Sequence, residues 1–538
     1  MAIHETAPQA IYIEDSDGDQ VAVDANGSLA AVATGPDGTS TQVTNQQALL
    51  TTSPKSGLSA FGEQLSAEPT PVVQVKFPYT TIQPQEIKQL ANNGTITSAD
   101  SMLVCSTGAA ANQSARALTV EHAAYEAGNG ICARFTALFT TGVANSIQAA
   151  GIGDAGEGFF FGYDGATFGI MSRIGGNAEV RTLTVTTKSS TAENITITLD
   201  GDALATVAVT NGADTTITAK EIAAADYSDL GTGWTATAVG STVVFISFDA
   251  ASHAGSFTLS GASTAVGTFA QTLAGVAPTE TWVPQASWNG HDTFDGTGPT
   301  GVTLDPTKGN VYQIKFQYLG FGAQTFFIED PTDGEFHLVH TIQYANANTA
   351  PSLDNPSMPL SIGCANAANT SDLVVKTGSM AAFVEGETTL TGPRHGVKGV
   401  LTTVSSTETP ILTVRSKEVF SGAINRTRSK VLTAGFSAEH TKPIVINVYA
   451  NAQIEAASFT DVVGVYSPLE YDTAGTAHTG GQYLFSIELG KTGNEIIDFS
   501  AAQQEGVLQP GHSLTFTAEA SAGSSGEANV SLYMVDLF

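Results

Sequence analysis

Tyr312-Gln313-Ile314-Lys315-Phe316-Gln317-Tyr318 decides how this chain is read. Tyr312, Ile314, Phe316 and Tyr318 fall on one face of an extended strand, with Gln313, Lys315 and Gln317 on the other, because successive strand side chains point to opposite sides. Phe326 and Ile328 then run into Glu329-Asp330-Pro331-Thr332-Asp333-Gly334. Phe336, Leu338 and Ile342 leave that turn on one face, with His340 as the polar exception. Two alternating runs joined by a Pro/Asp/Gly turn predict a β-hairpin.

The same alternation recurs outward from this hairpin. Ile444, Ile446 and Val448 alternate, as do Phe485, Ile487 and Leu489, then Leu514 and Phe516, then Val530, Leu532 and Met534. Near the start, Ile11-Tyr12-Ile13 precedes Asp15-Ser16-Asp17-Gly18-Asp19, and Val21-Ala22-Val23 precedes Asp24-Ala25-Asn26-Gly27. Leu29 to Ala33 precedes Gly35-Pro36-Asp37-Gly38. Asp-Gly and Asn-Gly tolerate the positive φ of hairpin turns. The fold class is therefore all-β, with several β-sandwich or jelly-roll domains.

Changes of texture divide the chain. Residues 1–45 read as an N-terminal β-meander whose strands are too short for a core of their own, which makes it a candidate anchor. Residues 46–100 read as a linker or mixed region, with Val72 to Phe77 extended and a short helix over Pro84 to Leu90. Residues 101–175 and 280–385 form one central sandwich. The segment 176–279 is rich in Thr, Ala and Val and nearly free of Phe and Tyr, so it reads as an inserted small β-rich domain. Its one helix is placed at Ala219-Lys220-Glu221-Ile222-Ala223-Ala224-Ala225. Residues 395–538 form a C-terminal sandwich.

Composition narrows the function classes. The 538 residues carry 21 Lys+Arg against 51 Asp+Glu, a net charge of −30. Nucleic-acid binding needs cationic phosphate contacts, so no nucleic-acid partner is expected. The densest basic run, Asn425-Arg426-Thr427-Arg428-Ser429-Lys430, reads as a solvated or subunit-facing edge. Charged residues make up 13% of the chain, well below the roughly 25% of ordinary soluble domains. Its polar surface is thus mostly Thr, Ser, Asn and Gln, as suits packing against copies of itself. Cys105, Cys132 and Cys364 have no metal or redox spacing. MAIHETAPQA has no basic n-region and no apolar h-region, so Sec export is not expected. No apolar run is long enough for a membrane span.

The aromatic segments resemble a family of β-sandwich virion structural proteins of tailed bacteriophages and large DNA viruses. The resemblance rests on Gly142-Val143-Ala144-Asn145-Ser146, Phe160-Phe161-Gly162-Tyr163-Asp164-Gly165 and Trp282-Val283-Pro284-Gln285. It continues in Asp295-Gly296-Thr297-Gly298-Pro299, Leu304-Asp305-Pro306-Thr307-Lys308-Gly309-Asn310, Tyr318-Leu319-Gly320-Phe321-Gly322, Phe327-Ile328-Glu329-Asp330-Pro331 and Tyr344-Ala345-Asn346-Ala347-Asn348. It covers roughly 130–174 and 281–365, and more loosely 390–538. The resemblance implies a virion component and carries over no catalytic residue.

Few constellations point to chemistry. Asp15, Asp17 and Asp19 alternate like the start of a calcium loop, but Gln20 stands where an EF-hand needs Gly and Asn26 where it needs Glu. His337 and His340 are three apart in a strand and point to opposite faces. Glu329, Asp330, Asp333 and Glu335 read as a solvated turn. Gly151-Ile152-Gly153-Asp154-Ala155-Gly156 opens no helix and reads as a glycine turn rather than a dinucleotide motif. No nucleophile elbow or P-loop occurs, so no catalytic residue, metal site or cofactor is assigned. Trp282, Trp288, Tyr163 and Phe160 read first as core. A sugar or receptor contact, if one exists, is placed at Trp288, His291 and Phe294 in the loops around 285–300.

The expected protein is thus a non-enzymatic bacteriophage virion subunit, made in the host cytoplasm. It is read as a fibre or tail appendage, with a capsid surface-decoration (head fibre) protein and a host receptor or glycan-binding module as alternatives. Its expected partners are copies of itself, taken as a trimer, other virion proteins through residues 1–45, and a host-surface glycan.

Overall fold

The strand Asn310–Phe316 lies where the alternation puts it, paired antiparallel with Gln324–Glu329 and with Gly130–Phe139. The computed structural model describes residues 33–34, 40–43, 49–50, 69–262, 264–386, 391–499, 506–523 and 526–538. Within these, the regular elements are all strands except for one α-helix and short 3-10 turns.

Two sheets face each other in the first sandwich. One runs Thr279–Pro284, Thr167–Ile174, Gly158–Asp164, Ser146–Gly153, Met358–Asn366, Ser114–Ala123, Ile87–Asn92. The other is nine-stranded and runs from Phe336–Ile342 through Gln324–Glu329, Asn310–Phe316, Gly130–Phe139, Val374–Thr377 and Met102–Ser106 to Thr95–Ala99, with Ser379–Glu385 and Thr70–Lys76 joined beside it. Aromatic side chains fill the space between. The Phe161 ring lies 4.7 Å from Tyr312, 5.5 Å from Phe326 and 6.1 Å from Trp288. Each such pair contributes about 0.5–1.5 kcal/mol beyond burial.

Residues 70–99, expected as a linker or mixed region, supply three strands to this sandwich, Thr70–Lys76, Ile87–Asn92 and Thr95–Ala99; the first falls on the segment expected to be extended at Val72 to Phe77, and the helix expected at Pro84 to Leu90 does not form. Ile87–Asn92 is an edge strand whose register runs Ile87↔Thr119 to Asn92↔Ser114. Its local pattern suits a short helix, but Ile87 and Leu90 gain burial only by pairing, and tertiary contact overrides weak propensity. The edge hairpin also departs from strict alternation. A bulge follows Phe326, so Phe326 pairs with His340 but Phe327 with Leu338. The extra residue shifts the buried face: Val339 is fully buried while Phe336 and Leu338 are half-buried.

The insert pairs Trp234–Val239, Thr242–Ser247, Val180–Thr187 and Val266–Leu273 in one sheet, and Asp202–Val209, Glu193–Leu199 and Thr258–Ser260 in another. Its helix is Thr215–Ala223, which starts earlier than expected. Asp214 caps it, accepting the Thr216 and Ile217 N–H groups, the N-cap role that fixes a helix start. The C-terminal sandwich stacks a sheet containing Arg394–Leu401, Gly526–Leu537, Arg428–His440 and Asn494–Asp498 on one containing Thr409–Ser416, Ser513–Ala520, Ile444–Ala450 and Gln482–Leu489.

Of the N-terminal meander, Ala33–Thr34 pairs with Ser40–Val43, and Ser40–Val43 pairs with Leu49–Leu50. The segments Ile11 to Ile13 and Val21 to Val23, and the Asp15/Asp17/Asp19 pattern, lie outside the described residues. No described helix is long and apolar enough to cross a membrane.

Candidate functional site

The outer face of the seven-stranded sheet carries charge where its inner face carries alanine. Ala115 and Ala117 point into the core, so Arg116 and Leu118 point outward. Register sets Leu90 opposite Arg116 and Lys88 opposite Leu118. The insert and the C-terminal sandwich both close over this face. Between the three lies a cavity of about 590 Å³, lined among others by Lys88, Arg116, His122, Asp154, Glu157, Phe248, Arg426 and His512.

One guanidinium organises it. Arg426 Nη1 donates to Glu157 Oε2 at 2.7 Å and to the Asn355 carbonyl at 2.9 Å, and Nη2 donates to Asp154 Oδ2 at 2.6 Å. The glycine turn after Gly153 prepares the acceptors: Asp154 Oδ1 takes the N–H groups of Gly156 at 2.8 Å and Glu157 at 3.1 Å. Burial pushes the Asp154 carboxyl up, but the Arg426 charge and those N–H donors outweigh it and hold it down to about 2. Burial works against the Arg426 charge as well, yet the two carboxylates raise its pKa. The basic run from Asn425 is therefore no solvated edge: Arg426 and Lys430 are buried, because the acid pair it needs comes from the first sandwich.

The insert docks on the same face. Asn92 Nδ2 donates to the Ser228 and Gly231 carbonyls, both at 2.9 Å, and the Asn93 N–H donates to Asp229 at 2.7 Å. The Arg116 guanidinium donates to the Phe248 carbonyl. Phe248 packs with Leu90 and Leu118 in a small apolar cluster. The helix of the insert reaches the C-terminal sandwich, where the Thr216 hydroxyl accepts the Ala456 N–H at 3.3 Å and Lys220 donates to the Thr479 hydroxyl.

The other cavity groups are of both signs, Lys88, Arg116 and His122 beside Glu418 and Asp354, and burial presses the cationic ones toward neutrality. Burial lowers the Lys88 pKa, with Glu418 opposing and Arg116 reinforcing the shift. Burial, then Arg173, brings Arg116 down to about 10. Burial, then Arg426, brings His122 down to about 4. The Nε atoms of Arg116 and Arg426 and Nδ1 of His122 are buried with no hydrogen-bond partner. Such a cavity suits ordered water or a small polar guest that accepts hydrogen bonds. Asp154 and Glu157 are both engaged by Arg426, so neither is set up as a free acid or base.

The structure takes apart the contact set placed at Trp288, His291 and Phe294. Trp288 is buried, its Nε1 donating to the Val283 carbonyl at 3.2 Å and its ring packed on Phe161 and Phe168. Phe294 is 1% exposed. Only His291 lies at the surface. Large rings gain most from burial, and this loop folds back under the edge hairpin, taking both rings with it. His340 is buried too, and its Nδ1 accepts the Asn289 N–H at 3.3 Å. Exposed aromatic rings lie elsewhere, among them Phe321, which sits 6.2 Å from the half-buried Tyr344 ring and beside exposed Leu319. The three cysteines are buried, free thiols. Burial pushes Cys105 up to about 12 and Cys132 up to about 11, away from reactivity.

No family model matches the chain, and no curated protein matches it. Among solved structures it is similar to a GlcNAcα1-4Gal-releasing endo-β-galactosidase from Clostridium perfringens, at 9% identity and a TM-score of 0.26 over 66% of this chain and 68% of that one. It is also similar to the metal-free carbohydrate recognition domain of Emp46p, at 6% identity and 0.24 over 58% and 96%. A legume lectin-like domain from Entamoeba histolytica follows, at 10% identity and 0.20 over 59% and 98%. Similarity at this level bears on neither ligand nor activity.

Proposed function

We propose that this chain is a non-catalytic structural subunit of a bacteriophage particle, a fibre, tail-appendage or capsid-surface protein that assembles with copies of itself. The supporting observation is a side of the C-terminal sandwich that the described residues leave uncovered. Gln482–Leu489 and Asn494–Asp498 are edge strands of its two sheets. They come together there through contact of Phe485 with Phe499. On them Tyr483 is 52%, Leu484 42% and Ile496 67% exposed. Unpaired edges carrying large apolar side chains are templates for association. The junction around Arg426 suits the same role, since it joins three bodies into one unit able to present that side. The resemblance of the aromatic segments to virion proteins gives the setting, and residues 1–45 are the proposed anchor to other virion proteins.

Light scattering of the purified full chain and cryo-electron microscopy of particles from its source test this. A symmetric oligomer, three copies in this reading, built into the particle supports it. A monomer at all concentrations and absence from particles would overturn it.

A second reading is host-glycan binding at Leu319, Phe321 and Tyr344. It is favoured by the exposure of Phe321 and Leu319 beside the half-buried Tyr344 ring, since aromatic faces suit pyranose rings. Binding on a glycan array that disappears in Phe321→Ala supports it; no binding, or binding unchanged in that variant, rejects it.

A further inference from the structure

The edge hairpin of the nine-stranded sheet ends in a turn that gathers three ligand-type side chains. Asp330, Asp333 and His337 each offer one atom, all within 4.8 Å of one another. The turn aims them. Asp330 Oδ1 accepts the Thr332 N–H at 2.7 Å and Asp333 Oδ1 accepts the Glu335 N–H at 2.8 Å. Oδ2 of each then faces His337 Nε2, at 3.9 Å from Asp330 and 3.6 Å from Asp333.

The histidine supplies an independent observation. Both its ring nitrogens are shut off from solvent, and neither makes a hydrogen bond. An imidazole in that state leaves a buried polar atom unsatisfied, at a cost of about 1–3 kcal/mol. The Asp330 side chain facing it is only 3% exposed, so a carboxylate oxygen is also drawn out of water toward this point. The gaps are too wide for hydrogen bonds, which close by about 3.2 Å. They are the right width for a shared ion. Bonds of about 2.0–2.2 Å from a divalent metal to imidazole nitrogen and carboxylate oxygen hold the ligand atoms roughly 3–4.2 Å apart.

We infer that Asp330, Asp333 and His337 form a binding site for a divalent transition-metal ion of the Zn²⁺ type. One imidazole with two carboxylates suits zinc and its neighbours over calcium, which takes all-oxygen shells. Asp333 is half exposed, so water fills the remaining positions from that side. The ion closes the hairpin turn and steadies His337 against Phe294, whose ring lies 6.1 Å away. It thereby pins the 291–303 loop, through its buried Phe294, to the edge hairpin. The spacing Asp-x2-Asp-x3-His reads in sequence as a solvated turn; only the fold reveals that Asp330 is buried and that His337 lacks partners.

The test is Zn²⁺ titration of the metal-stripped full chain by calorimetry, with Co²⁺ absorption spectra as a second readout and Ca²⁺ as a comparison. The inference expects one equivalent of Zn²⁺, visible Co²⁺ bands, and a rise in melting temperature on loading. Affinity falls about 10-fold or more in Asp333→Asn and in His337→Gln. Asp333→Asn changes an exposed side chain, and its circular dichroism shows whether the fold is kept. No stoichiometric uptake, or uptake unchanged in both variants, overturns the inference. Binding of Ca²⁺ in preference to Zn²⁺ overturns the assignment of an imidazole-ligated ion.

Discussion

Arg426 Nη1 and Glu157 Oε2 meet at 2.7 Å although 269 residues separate them in sequence. The contact is buried at both ends, with side-chain exposures of 6% and 3%. It joins the strand region that opens the C-terminal sandwich to a turn of the first. Two carboxylates and a carbonyl engage both Nη atoms of the guanidinium while its Nε makes no hydrogen bond, and that two-pronged contact is why an arginine and not a lysine fits there.

Arg426→Met is expected to destabilise the protein by about 3–5 kcal/mol, because it strands Asp154 and Glu157 as buried, uncompensated charges. Arg426→Lys keeps the charge but loses the fork, and falls between the two. Urea unfolding followed by tryptophan fluorescence measures both; equal stability of wild type and Arg426→Met would refute the clamp.

Acid is expected to loosen the same junction in two stages. His122 sits at about 4 when folded, down from its ordinary 6.5, so the unfolded chain takes the proton first and stability falls between those values. Asp154 is lowered from 3.8 to about 2, so its contribution is present above the upper value and lost as pH falls through the lower. Melting temperature from pH 7 to 3 should show the first decline, and His122→Phe should remove it.

The insert should respond in the opposite sense. His253 lies 2.9 Å from Asp200 and 3.0 Å from Asp249. The Asp249 hydrogen bond, against burial and with help from Asp200, raises it to about 9 from 6.5. A raised pKa gives stability that is complete below 6.5 and lost as pH climbs toward 9. Asp249 is 40% exposed, so solvent screening reduces the effect to about 1–3 kcal/mol. Melting of the wild type from pH 6 to 9.5, with His253→Gln as a flat control, checks it.

Gly162→Ala should be severely destabilising. A Cβ there would stand 1.8 Å from the Gln148 carbonyl oxygen, and the opposing strand Ser146–Gly153 cannot yield without breaking its pairing with Gly158–Asp164. Poor expression or a sharply lowered melting temperature is expected; near-wild-type melting would show that the strands separate more easily than drawn here.

Ile496→Lys should reduce self-association while leaving the fold intact, since the side chain is 67% exposed and a lysine guards an edge strand. Light scattering before and after the change reads the effect, and an unchanged oligomer would move the interface elsewhere.

Alternation alone made the strands of both sandwiches legible, because a side chain's face follows from parity and burial rewards the apolar face. Tyr312, Ile314 and Phe316 went inward on that logic. The shift to small β-branched residues at about 176 marked the insert, and Ala219 to Ala223 marked its helix. Parity has no purchase on bulges or on weak edge strands, which is why Val339 replaced Leu338 as the buried residue and Ile87–Asn92 was taken for a helix.

The sequence by itself determined the all-β class, the acidity that argues against phosphate binding, and the absence of any local catalytic signature. The tertiary structure alone decided which polar residues meet. Arg426 with Glu157, Asp330 with His337, and the burial of Phe294 have no sequence mark, whereas Trp288 lies in the core, where the sequence first places it. Each depends on where distant or bulged strands come to rest, and the value of a charge or a ring depends on the water that packing removes from around it.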